Sequence, residues 1–141
     1  MDTHKDLDHA RKELEENKMA FVMVRNGKVL AQSKEKGVAP FFSAVARNKV
    51  KGASLADRII GKAVASLCAY KGITAVYTPV VSEPAVSVLE ENQISWHAEQ
   101  VVPMILNREG DGQCPIESIV AATTSPGEAY LILKRKFEGI L

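Results

Sequence analysis

Cysteine is scarce in this chain of 141 residues. The two present, Cys68 and Cys114, form neither a C-x-x-C pair nor a disulfide framework. That excludes a disulfide-stapled scaffold and suits a reducing interior. Charge of one sign is also missing: eighteen Lys and Arg face seventeen Asp and Glu, for a formal net charge of +1. No electrostatic pull toward nucleic acid or anionic lipid follows from that balance. No apolar run approaches the roughly 20 residues of a membrane span. The N-terminal stretch is too charged for a signal peptide. These absences predict a cytoplasmic protein with no nucleic-acid or membrane partner.

The hydrophobic fraction of 46% and the charged fraction of 25% are those of a globular protein. The length suits one domain over residues 1–141, opened by an N-terminal helix within 1–18. That helix has a thin apolar stripe at Leu7, Ala10 and Leu14. Two β-rich runs then flank Asn26-Gly27, a strong hairpin signal. A short helix follows near Pro40. The stretch from Ser54 to Gly72 reads as one deeply packed helix. Ser54 is its cap, Asp57 its capping-box acid, and Gly72 its end. A strand over 73–81, a helix capped by Ser82 with Pro84 in its first turn, and a strand over 94–102 come next. A Gly-rich loop over 106–115 leads to a helix opened by Pro115. The last helix, capped by Ser125, runs to about Ile140. The order predicts an α/β sandwich, a mixed sheet with helices on both faces.

One triplet invites a catalytic reading. His97-Ala98-Glu99 has the residues with which zinc-dependent nucleoside deaminases hold a metal and place a proton-shuttling Glu. That motif belongs at a helix start, whereas here it alternates along a strand, with Ile94, Trp96 and Ala98 on one side and His97 and Glu99 on the other. Zinc also needs further ligands, normally from a downstream P-C-x-x-C. Cys114 alone cannot complete the set, so no metal and no cofactor is expected.

The segments "GASLADRIIGKAV", "VVSEPAVSVLE" and "VPMILNREGDGQCPIES" resemble an uncharacterised family of bacterial and archaeal proteins. That family is a domain of unknown function with a cytidine deaminase-like fold. The resemblance runs from about Met19 to the end of the chain. It implies a three-layer α/β/α sandwich with a mixed sheet, and a cleft between two helix starts where that fold holds zinc. "ADRII" and "SEPAV" stand at those starts without the zinc-binding motifs.

A cleft that kept its scaffold without the metal still offers two helix N-termini, which suit an anion or a nucleotide phosphate. The candidate ligand-binding residues are Ser54, Asp57, Lys62, Ser82, Glu83, Asn107, Arg108 and Cys114. Lys62, if it points inward, needs an acidic partner or a ligand anion. Arg108 can fork onto a phosphate or carboxylate from the Asn107–Cys114 loop. The expected function is binding of a small anionic, nucleotide-like ligand. One alternative is an enzyme without zinc, using Glu83 or Asp57 as base or Cys114 as nucleophile. Another is an interaction protein that self-associates through an edge strand or a helix face.

Overall fold

The computed structural model describes residues 3–139. Met1, Asp2 and Ile140, at the ends of the expected first and last helices, lie outside them. The elements are α1 (Thr3–Glu16), β1 (Phe21–Arg25), β2 (Lys28–Ser33), α2 (Val38–Arg47), β3 (Ser54–Asp57), β4 (Ile59–Ile60), α3 (Lys62–Lys71), β5 (Ala75–Ser82), α4 (Glu83–Glu91), β6 (Ser95–Val102), α5 (Pro115–Val120) and α6 (Pro126–Glu138). Among the described residues no helix is long and apolar enough to cross a membrane.

Among the described residues the six strands form one mixed sheet. β1 pairs antiparallel with β2 and with β3, whereas β3, β4 and β6 all run parallel to β5. β6 lines one edge of β5 from Ala75 to Ser82, so β3 and β4 share the other edge end to end. The hairpin turns at Asn26 and Gly27, both with positive φ as a tight primed turn requires. Asp6 of α1 accepts hydrogen bonds from both turn amides, which ties the helix to the hairpin.

Strand alternation divides the core. Val22, Val24, Ala56, Ala75 and Tyr77 pack with Leu7, Ala10 and Leu14 of α1. Phe21, Met23, Leu55 and Val76 project to the opposite side, into a larger cluster with α2, α3, α4 and α6. The result is a mixed α/β protein with apolar cores on both sides of its sheet.

One expected helix is corrected. The stretch from Ser54 is strand as far as Ile60, and α3 begins only at Lys62 after Gly61. Ser54 is therefore no helix cap: it is a fully buried strand residue paired with Val24 and Ala75. The physical reason is the central position of β3. Ser54, Leu55 and Ala56 are all buried, so the run shows no polar alternation and its apolar spacing imitates a helix.

Candidate functional site

The corrected boundary moves one helix start but preserves the convergence of two. Ile60 pairs with Val81 in parallel register. The chain enters α3 just after the first and α4 just after the second. The starts of α3 and α4 thus lie on neighbouring strands, about 4.8 Å apart in the sheet. Ser54 is remote from this place. It pairs with Ala75, at the opposite end of β5 from Ser82, which puts it roughly 23 Å away at strand rise per residue.

Each start is already satisfied by the protein. At α4, the Ser82 hydroxyl accepts from the Ala85 amide at 3.2 Å, and Pro84 occupies the first turn. At α3, the carboxylate of Glu117 accepts from the amides of Lys62 at 2.7 Å and Ala63 at 2.9 Å. Glu117 is 6% exposed. Burial holds its pKa above the ordinary carboxylate value, against the pull of those two amides and the Lys62 charge. A Cβ on Gly61 would collide with this carboxylate, so the approach of Glu117 requires glycine there.

Beside Glu117 opens a cavity of about 590 Å³. It lies beyond the carboxyl end of β3 and the start of β1, roofed by the 105–108 and 114–117 segments. Phe21, Val38, Ile59, Val64 and Ile116 give it apolar walls, and Lys18, Lys34, Lys36, Arg58 and Arg108 bring positive charge. Its acids are Glu35, Asp57 and Glu117. Asp57 closes β3 half-buried, and its carboxylate accepts from the Ile59 amide at 3.3 Å. Burial pushes its pKa up to about 7, opposed by the backbone amides of Ile59 and Arg58 and by the Arg58 charge. Arg58 is committed elsewhere. It donates to the carbonyls of Met19 at 2.9 Å and Leu14 at 2.6 Å, clamping the end of α1.

Of the residues expected from sequence, Asp57, Asn107, Arg108 and Cys114 line this cavity together. Asn107 is bound within its own loop, donating to Asp111 and accepting from the amides of Gly110 and Asp111. Arg108 is exposed and, among the described residues, makes no hydrogen bond or ion pair. Cys114 is half-buried at the N-cap of α5 and makes no side-chain cap. Ser54, Lys62, Ser82 and Glu83 do not line the cavity. Glu83 is exposed on α4. The hydrogen bonds of the Lys62 ammonium go to backbone carbonyls, although its charge is felt by Glu117. The ammonium donates to the carbonyls of Ala121 at 2.9 Å and Thr123 at 2.8 Å, beside a second cavity of about 340 Å³. Sequence reasoning missed Glu117 as the partner of α3, because Pro115 and Glu117 also read as an ordinary helix opening. It missed Lys18, Lys34, Lys36 and Arg58, which carry no motif.

His97 and Glu99 stand exposed on β6. Among the described residues no three His, Cys, Asp or Glu side chains are grouped to hold a metal ion.

No curated protein matches the sequence. A solved structure of a DUF1893 family protein, TM1506 from Thermotoga maritima, superposes with a TM-score of 0.89 at 25% identity. The likeness covers 97% of this chain and 93% of that one. The family profile of the same name, a domain of unknown function, matches residues 9–137. The chain belongs to this DUF1893 family.

Proposed function

We propose that the protein binds a small anionic, nucleotide-like molecule in the cavity over Asp57 and under Arg108. The observation that carries this reading is the composition of the cavity at its place in the sheet. Ligands of open α/β sheets sit beyond the carboxyl ends of the parallel strands. The volume is within the range of small-molecule sites, roughly 300–1,000 Å³. Five cationic side chains against three acids favour an anion, while the apolar walls suit a ring. The same reading takes the chain as one domain of a cytidine deaminase-like, three-layer sandwich. α1 covers one face of the sheet, and the starts of α3 and α4 follow neighbouring strands.

The zinc of that fold does not fit these residues. Gly61 and Lys62 at one start, and Ser82, Glu83 and Val86 at the other, include no His or Cys. The carboxylate at α3 is engaged by backbone amides.

The test is a thermal-shift panel of nucleotides, nucleosides and sugar phosphates. At least one phosphorylated member should raise the melting temperature, and Arg108→Ala should weaken that shift several-fold. Absence of any shift across the panel counts against ligand binding. One observation favours catalysis in the same cavity. Asp57 lies in the cavity wall, where burial pushes its pKa up to about 7, toward the range that suits a general base. Turnover lost in Asp57→Asn, with ligand-induced stabilisation retained, would identify that role.

A further inference from the structure

β6 ends the sheet with a long, open edge. Among the described residues it pairs only with β5. The Ser95 amide donates inward to the Thr74 carbonyl. In a strand, successive residues direct their backbone groups to opposite sides. Trp96, Ala98, Gln100 and Val102 therefore present N–H and C=O outward, and no described backbone group pairs with them. Natural edges are blunted by lysine, proline or bulges. The opposite edge, β2, begins with Lys28 and carries a register irregularity. β6, with the sequence SWHAEQVV, contains no lysine or proline and keeps one register along its length. Val101 beside this edge is 49% exposed.

We propose that β6 pairs antiparallel with β6 of a second copy of this chain, about a two-fold axis at Ala98. The choice of occupant rests on charge. A two-fold pairing of a strand with itself sets each residue opposite a fixed partner. Centred on Ala98, it joins outward residues to outward residues: Ala98 to its own copy, and Trp96 to Gln100 of the second copy. His97 then faces Glu99 of the second copy, twice. These are non-hydrogen-bonded positions, where side chains approach most closely. An imidazole donates to a carboxylate in either protonation state. Centring on Glu99 instead opposes two like charges, and centring on His97 opposes two imidazoles. Glu99 is also pre-positioned on that face. Arg11 holds it at 3.8 Å, and the Arg11 guanidinium lies over the Tyr77 ring at 4.3 Å. The pairing joins two sheets into one continuous sheet and removes both open edges. It leaves the cavity over Asp57, which β6 does not line, as a separate site in each copy.

Light scattering on the intact chain should give twice the monomer mass. His97→Glu places four carboxylates at the axis and should yield monomer. His97→Glu combined with Glu99→His restores the opposite pairs and should restore the dimer. His97 and Glu99 are both exposed, so these variants do not threaten the fold. The register has its own readout. In a Cys114→Ser background, Ala98→Cys puts two Cα atoms about 5.5 Å apart, within disulfide reach. Mild oxidation should then give a covalent dimer on a non-reducing gel, whereas Gln100→Cys alone should not. A wild-type chain monomeric at its highest soluble concentration would overturn the proposal. So would a dimer that His97→Glu leaves intact, or efficient cross-linking through Gln100→Cys but not Ala98→Cys.

Discussion

Glu117 reaches the start of α3 across 55 residues of sequence and takes up two amides there. Removing it leaves buried donors without an acceptor, which costs about 1–3 kcal/mol. Glu117→Ala should therefore lower the urea midpoint clearly, and Glu117→Gln, which keeps one acceptor oxygen, should lower it less. Gly61→Ala forces a Cβ onto the same carboxylate, an overpacking cost of about 1–3 kcal/mol. Because the two changes act on one contact, their double variant should lose less than the sum, the signature of coupled neighbours. Asp57 gives a pH dependence of definite sign. Its folded pKa of about 7 exceeds its ordinary value of 3.8. The folded state therefore holds a proton that the unfolded chain releases at lower pH. Stability from this group is greatest below pH 3.8 and falls as pH rises to about 7, beyond which the loss is complete. At 1.36 kcal/mol per pKa unit the ceiling is about 4 kcal/mol, reduced by the side chain's partial access to the cavity. Asp57→Asn should remove this slope and be more stable than wild type above pH 7. Guanidinium unfolding of both proteins across that window measures it; parallel pH profiles would contradict the burial of Asp57.

Elements whose boundaries are set locally were readable from sequence. Asn26-Gly27 specifies a turn by backbone geometry, Ser82 and Ser125 cap the helices that follow them, and Gly72 ends α3 in a left-handed conformation. Ser54 to Ile60 was not readable, because its character comes from neighbours distant in sequence. β3 lies between β1 and β5 with both faces covered, so the alternation that marks a strand vanishes. The candidate site follows the same division. Asp57, Arg108 and Cys114 attract notice as residue types, whereas Glu117 and Arg58 matter through partners that only the fold supplies. Arg58 shows this most directly. From the gap between β3 and β4 it holds two carbonyls at the end of α1. Arg58→Ala should leave them without a charged donor, at about 1.5–3 kcal/mol for bonds to a charged group. Lysine carries the charge but not the fork, so Arg58→Lys should recover only part. Hydrogen exchange should accelerate first in the last turn of α1. Uniform acceleration throughout the sheet would mean that Arg58 supports more than this clamp.

Seen as a whole, the molecule is nearly neutral, yet one cavity gathers five of its eighteen basic residues. Such local asymmetry matters more for a ligand than net charge does, because low-dielectric walls concentrate the field in a cleft. Lys18, Lys34, Lys36 and Arg108 are exposed, so their attraction for an anion is screened by salt. The screening length is about 8 Å at physiological ionic strength and about 30 Å at 0.01 M. A phosphorylated ligand should therefore bind more weakly as salt rises, while the matching neutral nucleoside, held by the apolar walls, should hardly respond. Reversing two of the charges with Lys34→Glu and Lys36→Glu should flatten the salt dependence and leave the nucleoside's affinity unchanged. Isothermal titration at several salt concentrations supplies both slopes. Equal slopes for the charged and the neutral ligand would mean that these side chains keep the surface soluble and recognise nothing.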